Sequence, residues 1–313
     1  MARRNAILAQ SIFFSAAAIL VLSTGALVLF IGSTGLRVFS FISPASFFFG
    51  RSWDQNTQDF GVLPLLFGSL ATTLVTLVIS APLAIAVSIF MVEIAPRPIR
   101  RIMRTAVELF ASLPSVIYGL LGLTLVVPWL RDALHVGLGK GILAAAVVLV
   151  FMTQPTMVSI AEDALRSLPE SLREGALAVG ATRWQMIWRV LVPAARPGLL
   201  TAVILGMGRA IGETMAVQMV VGNITSRIPS NLVSGATTMP AAIVTQLPEA
   251  TSPAHRAALI MVAFLLLVIT LILIAGVRLA TGGKSTKAST RRAVPAAQGG
   301  RPAAVAKLQG DKV

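Results

Sequence analysis

The sequence predicts an all-α membrane protein that crosses the bilayer six times. Of its 313 residues, 56% are hydrophobic and only 12% are charged, and the mean hydropathy is +0.84. Soluble domains carry about 25% charged residues, so this composition is typical of a polytopic membrane protein. Six apolar segments each supply the roughly 17–25 residues that a helix needs to cross a bilayer. They lie at about 11–34, 64–92, 105–130, 141–161, 198–222 and 257–278.

The basic residues predict how these segments are oriented. The net charge is +14, and most of the 26 lysines and arginines fall in every second loop. Because such residues are retained on the cytoplasmic side, both termini are predicted to be cytoplasmic. The first segment follows Arg3 and Arg4 and stays uncharged to Leu36. It is longer than the apolar region of a signal peptide, so we expect an uncleaved helix.

These segments divide the chain into four parts. Residues 1–34 form the N-terminal cytoplasmic end and the first transmembrane helix, and residues 35–63 form an extracytoplasmic loop. Residues 64–280 form the membrane core, which includes a long cytoplasmic loop at 162–197. Residues 281–313 are rich in Ala, Gly, Lys, Arg and Pro. They have little apolar surface to bury, so they are predicted to form a disordered basic tail.

The sequence indicates neither catalysis nor metal binding. There are no cysteines, which excludes disulfides, thiolate metal sites and cysteine nucleophiles. The two histidines, His135 and His255, are far apart in sequence. No H-E-x-x-H or G-x-S-x-G motif is present. The basic residues have no interleaved aromatics, so a nucleic-acid partner is not predicted. We therefore expect no catalytic residues and no metal.

The cytoplasmic loop at 162–197 is too long for a simple turn and predicts two short helices. Ser167 with Glu170, and Thr182 with Gln185, each have the spacing of a capping box at a helix start. Either an interfacial hairpin that merely links two spans or a docking element for a cytoplasmic partner would fit this pattern.

The same loop contains residues that predict where its helices end. Gly180 is expected to end the first helix, and the second is expected over about 183–192, with Pro193 ending it. The second helix would present one apolar face. That face consists of Trp184, Ile187, Trp188 and Leu191.

Two charged residues, Arg209 and Glu213, lie inside the fifth apolar segment. A charge at the centre of a spanning helix costs about 2.5–3.5 kcal/mol on insertion scales. Four residues apart, the two would lie on one helix face and could pair. One interpretation is a structural ion pair. The other is an anion site in which Arg209 contacts an oxyanion through its planar fork of donors, with Glu213 as its counter-ion.

Other polar residues could line a path through the membrane. Glu108 follows a cluster of arginines and could either pair with Arg104 at the interface or line that path. Pro114 and Pro155 are expected to kink the third and fourth segments. The polar side chains that could contribute to the path are Ser112, Ser115, Tyr118 and Thr214.

The long cytoplasmic loop resembles the E-A-A…G…I-x-L-P signature of ABC importer permeases. The matching residues are Glu174-x-Ala176, Gly180 and Val190-x-Val192-Pro193, with Gly175 in place of the middle alanine. The resemblance implies the type I ABC importer permease fold. It also implies that Glu174, Ala176, Gly180 and Pro193 couple the permease to a separate ATPase subunit.

A second stretch narrows the resemblance. Leu205 to Val217 is similar to the phosphate-specific permease subunits of the PstC type, and shorter matches extend the similarity over about 60–280. This resemblance implies phosphate as the substrate, with Arg209 and Glu213 binding it. It implies a PstA-type sister permease, a PstB-type ATPase dimer and an extracytoplasmic PstS-type binding protein. ATP and Mg²⁺ would bind to the ATPase, and this chain would hold no cofactor.

Alternative functions stay open from the sequence. A related permease could carry sulfate, molybdate or phosphonate. A membrane-embedded enzyme and a passive anion channel are less favoured alternatives. Glu213 could also discriminate among anions, because a carboxylate can accept a hydrogen bond from protonated phosphate but not from sulfate, which carries no proton at neutral pH.

Overall fold

The structure is a computed structural model that describes residues 2–280. The predicted disordered tail at 281–313 lies outside the described residues. Within the described part, six apolar helical segments are long enough to cross a membrane. They are Ile12–Ser40, Leu63–Ile94, Ser115–Leu134, Ile142–Arg166, Arg183–Gly212 and Pro253–Leu279.

The described residues form the α-helices given below, some of which lie within the spans and some between them. Short 3-10 and π turns extend or join several of these helices. The α-helices are α1 (Ala2–Gly35), α2 (Pro44–Phe49), α3 (Leu63–Ile89), α4 (Arg97–Ser112), α5 (Ser115–Leu121), α6 (Val127–Leu134), α7 (Ile142–Arg166), α8 (Glu170–Ala178), α9 (Arg183–Met186), α10 (Val192–Gly212), α11 (Met215–Val220), α12 (Met239–Gln246) and α13 (Pro253–Ala280). A 3-10 turn follows α1 at Leu36–Ser40, and π turns lie at Phe90–Ile94, Gly122–Val126 and Ile187–Leu191. Two short antiparallel strands, β1 (Trp53–Asp54) and β2 (Asp59–Phe60), pair outside the spans.

The fourth span, α7, is the central helix of the bundle and packs against both α3 and α10. Its run of small residues at 144–146 is buried, which lets neighbouring helices approach closely. A polar contact also joins α7 to α3, where the hydroxyls of Ser80 and Thr153 lie 2.9 Å apart. In contrast, α1 packs mainly on α13 at the edge of the bundle.

The third span begins later than the sequence predicts. Instead of a continuous segment over 105–130, the amphipathic helix α4 ends at Ser112 and the span begins at Ser115. Leu113 between them is extended because it precedes Pro114. The hydroxyl of Tyr118 donates a 2.6 Å hydrogen bond to the carbonyl of Phe110 and so bridges the break.

The fifth span also differs from the prediction of a segment over 198–222. It begins at Arg183 and ends at Gly212, after which two non-helical residues lead into α11. Pro193 does not end a helix; it lies in the first turn of α10, directly after the π turn. That wider turn interrupts the regular hydrogen-bond ladder, which accommodates a residue without a backbone N–H.

The loop between the first two spans packs onto the end of the bundle. The indole Nε1 of Trp53 donates a 2.8 Å hydrogen bond to Oε1 of Gln246 in α12. The ring of Phe60 stacks on His255 of α13, with ring centroids 5.0 Å apart. All three rings are buried, so this loop is an integral part of the fold.

Candidate functional site

Arg209 lies in the last turn of α10, where the carbonyl end of the helix favours a cation. Its side chain is exposed. Its Nη1 donates a 3.3 Å hydrogen bond to Oγ1 of Thr156 in α7. The guanidinium of Arg209 therefore joins the fourth and fifth spans. Thr156 was missed in the sequence because nothing in its neighbourhood along the chain distinguishes it.

The predicted pairing of Arg209 with Glu213 on one helix face is wrong. Helix α10 ends at Gly212, so Glu213 has an extended backbone with φ −73° and ψ 130°. Its Oε1 accepts a 3.3 Å hydrogen bond from the backbone N–H of Ala216 in α11. Because the helix breaks between the two charged residues, the i,i+4 geometry that would pair them does not exist.

Because Glu213 does not pair with Arg209, the guanidinium of Arg209 is open to a ligand. Among the described residues, Thr156 is its one hydrogen-bond partner, although a guanidinium carries five N–H donors. No carboxylate among the described residues lies within ion-pair distance of it. An arginine in this condition can receive an anion without first breaking an ion pair.

The other predicted pathway residues have different surroundings. Glu108 pairs with Arg104 at 3.3 Å on α4, and both side chains are more than half exposed. Ser115 is the first residue of α5 and is half-buried. Thr214 lies in the break after α10, where its hydroxyl donates to the carbonyl of Gly212 at 3.4 Å. Thr214 therefore lies in the helix break after Arg209 and Tyr118 bridges the break before the third span, whereas Glu108 belongs to a separate surface pair.

The hairpin at 167–191 confirms one predicted cap and contradicts the other. Thr182 and Gln185 form a complete capping box, with hydrogen bonds of 3.0 and 3.3 Å. Ser167 does not cap α8; it ends α7, and α8 begins after Pro169. The spacing of Ser167 and Glu170 matched, but the proline and the preceding helix occupy the backbone positions that a cap would need.

Gly180 ends α8 in a Schellman motif. Its N–H donates to the carbonyl of Leu177 at 3.0 Å, and the N–H of Ala181 donates to the carbonyl of Ala176 at 3.1 Å. Gly180 has φ +82°, a left-handed conformation that glycine adopts without steric cost. Ala176 is buried, and Ala181 packs in the same apolar cluster. Ala176 and Ala181 thereby hold the turn at Gly180 against the apolar cluster, while the side chain of Glu174 on α8 is exposed.

The apolar face predicted for the second helix is divided in two. Ile187 and Leu191 are buried, whereas Trp184 and Trp188 are 62% and 48% exposed and contact each other edge to face at 5.5 Å. The π turn adds a residue here, so the side chains do not follow the regular 3.6-residue period. Leu177 and Val179 of the same hairpin are also exposed apolar side chains.

Sequence reasoning also missed Arg173 on α8, whose side chain is only 14% exposed. It binds Glu93 with Nε at 3.2 Å and Nη2 at 2.9 Å, and Glu93 is 8% exposed. It also donates to the carbonyls of Leu165 and Leu168 at the end of α7, at 3.1 and 3.3 Å. Hydrogen bonding of the Arg173 guanidinium to the carboxylate of Glu93 is the main reason that the pKa of Arg173 is raised.

Comparison with known proteins identifies the class to which this architecture belongs. Residues 82–281 match the family of the binding-protein-dependent transport system inner membrane component. The chain therefore belongs to this family. It is a multi-pass inner-membrane protein and a transporter subunit rather than an enzyme.

Individual relatives cover most of the chain. It is 47% identical over 218 residues to the probable ABC transporter permease protein YqgH of Bacillus subtilis, covering 68% of this chain and 71% of the relative. It is 37% identical over 283 residues to the phosphate transport system permease protein PstC of Mesorhizobium japonicum, covering 83% and 85%.

The solved structure of a bacterial alginate ABC transporter, in complex with an alginate pentasaccharide-bound periplasmic protein, shows the same fold. It aligns with a TM-score of 0.59 at 15% identity and covers 86% of this chain and 94% of the matched chain. The predicted all-α, six-span fold of an ABC importer permease is thus confirmed.

Proposed function

We propose that this chain is the phosphate-translocating permease subunit of an ATP-driven importer. Relatives at 32–37% identity over most of the chain are named phosphate transport system permease protein PstC. The observation that carries the proposal is the guanidinium of Arg209, which lies at the end of a membrane-spanning helix and is not neutralised by Glu213.

The chemistry of Arg209 fits phosphate. A phosphate ion is strongly hydrated, so it needs replacement donors to cross a membrane, and a guanidinium supplies a planar fork that matches two of its oxygens. The hydroxyl of Thr156 lies beside this fork and adds a further hydrogen-bonding group. A site with one arginine also binds weakly enough to release its ion, which conduction requires.

Glu213 has a different part in this proposal. Its carboxylate is held by the amide of Ala216 at the helix break and not by Arg209. When phosphate is bound at Arg209, Glu213 accepts a hydrogen bond from the protonated oxygen of phosphate and so disfavours sulfate. Glu213→Gln tests this step, since an unchanged preference for phosphate over sulfate would contradict it.

The hairpin is the proposed contact with the ATPase. Both chain termini are cytoplasmic in this proposal, which places the hairpin on the same side as a PstB-type ATPase dimer carrying ATP and Mg²⁺. The exposed apolar side chains of the hairpin would face that subunit, together with Glu174. They are Leu177, Val179, Trp184 and Trp188. A PstA-type permease completes the path and a PstS-type protein delivers phosphate. ATP binding then shifts the permease between inward-open and outward-open states.

Uptake of labelled phosphate by the assembled transporter tests the proposal. Arg209→Ala should lower uptake about 10- to 150-fold, because hydrogen bonds to a charged group contribute about 1.5–3 kcal/mol. Arg209→Lys should lie in between, since it keeps the charge but loses the fork. Arg196→Ala, which removes an exposed arginine from the same helix, is the matched control.

Three results would contradict the proposal. Normal uptake by a well-expressed Arg209→Ala transporter would exclude Arg209 as the phosphate contact. Uptake that continues without the ATPase subunit would indicate a passive channel. Competition by sulfate, molybdate or phosphonate at concentrations similar to phosphate would indicate a permease for another oxyanion.

A further inference from the structure

The cytoplasmic end of the second span is fastened to the hairpin through one guanidinium. Glu93 lies in the π turn after α3, and Arg173 lies on α8 of the hairpin. They are separated by 80 positions in sequence, yet Arg173 makes two hydrogen bonds to a single oxygen of Glu93. Both side chains are largely shielded from water, so this contact is much less screened than an exposed ion pair.

The other donors of Arg173 extend the connection to the fourth span. They reach the carbonyls of Leu165 and Leu168, near the C-terminal end of α7, and the carboxylate of Glu170. One side chain therefore joins three elements: the hairpin helix, the end of the fourth span and the end of the second span. A lysine could not replace it, because a single ammonium lacks the fixed fork that reaches several acceptors at once.

We propose that Arg173 and Glu93 transmit movement of the hairpin to the second span, so that ATPase motion moves this span with the hairpin as one body. This role rests on the proposed function, since it gives the hairpin a partner that moves it. Apolar packing of α8 is limited: it places Ala176, which is buried, and Leu172, which is partly buried, against the cluster beneath it. The buried, multiply hydrogen-bonded ion pair is what resists separation of α8 from α3.

The first test measures the coupling ratio, which is the amount of phosphate taken up per ATP hydrolysed. It uses the complete transporter in proteoliposomes. Glu93→Gln keeps the shape of the side chain and removes its charge, and Arg173→Lys keeps the charge and removes the fork. Each should lower the ratio at least about fivefold, the low end of typical coupling between sites, while the amount of assembled complex stays normal. Glu170→Gln, which alters the exposed partner of the same guanidinium, should leave the ratio unchanged.

A second measurement does not depend on the transported ion. The chain has no cysteines, so spin labels can be placed with Ser171→Cys on α8 and Ile94→Cys at the end of the second span. The distance between these labels should be the same with and without nucleotide in the otherwise unaltered complex. It should differ between the two conditions when Glu93→Gln is added.

The results separate this inference from the proposed function. A label distance that changes with nucleotide in the unaltered complex would overturn the inference, as would a normal coupling ratio in both Glu93→Gln and Arg173→Lys. A fall in uptake that only follows a loss of assembled complex would also overturn it. A complex that takes up no phosphate would contradict the proposed function instead, and the label distances would still test the link between Arg173 and Glu93.

Discussion

Replacing Gly180 with alanine should weaken the end of α8 by an amount that the structure defines. Gly180 has φ +82°, and a residue with a Cβ atom is less stable in the left-handed region by roughly 1–2 kcal/mol. A Cβ added there would meet no atom within 4 Å, so steric contact with neighbours adds nothing to this value. The destabilisation therefore comes from the backbone alone. It should weaken the Schellman hydrogen bonds that the N–H groups of Gly180 and Ala181 donate.

Hydrogen exchange of the backbone amides measures this change locally. A cost of about 1–2 kcal/mol should speed exchange at Ala181 and in the last turn of α8 about 5- to 30-fold. Gly175→Ala is the matched control, because Gly175 lies inside α8 and a Cβ there also meets nothing within 4 Å. Alanine is favoured over glycine inside a helix by roughly 0.5–1 kcal/mol, so this variant should slow exchange about two- to fivefold.

Opposite effects of the two substitutions are the decisive feature of this experiment. If Gly180→Ala left exchange unchanged, or slowed it as Gly175→Ala does, the left-handed turn would not be the reason for glycine at this position. Under the proposed function, Gly180→Ala should also weaken binding of the ATPase subunit, and Gly175→Ala should not. Binding of the purified ATPase to the permease in detergent measures that difference.

Three further substitutions test the packing of the bundle through the melting temperature of the purified protein. Gly198→Ala would place a Cβ 2.3 Å from the Cβ of Ala164, so α10 must shift from α7 and stability should fall by about 1–3 kcal/mol; an unchanged melting temperature would contradict this close approach. Trp53→Phe should cost about 0.5–1.5 kcal/mol, the net value of one hydrogen bond, because it removes the donor to Gln246. Tyr118→Phe should cost a similar amount and speed amide exchange at the end of α4, and unaltered exchange there would show that its hydroxyl does not hold the break.

The sequence predicted the six spans because their signal is local. A segment of about 20 apolar residues must be helical in a bilayer, since each backbone group has to be satisfied within its own helix. The same is true of Gly180 and of the capping box at Thr182 and Gln185, whose partners lie within a few residues. The cap predicted at Ser167 was wrong because Pro169 and the end of α7 determine the backbone there.

The ends of the third and fifth spans were predicted less well. Apolar composition continues across Leu113 and across Glu213, so hydropathy does not show the breaks at these residues. The predicted pair of Arg209 and Glu213 failed for the same reason, because an i,i+4 contact requires a continuous helix.

By itself, the sequence determined that this chain spans a membrane, that Arg209 lies within the fifth span, and that a hairpin with a glycine turn follows the fourth. These features depend on composition and on residues close together in the chain. Only the tertiary structure decided which groups meet: Thr156 rather than Glu213 at Arg209, and Glu93 at Arg173. Such contacts join residues 53 to 80 positions apart, and they are set by how the helices pack, which no local pattern records.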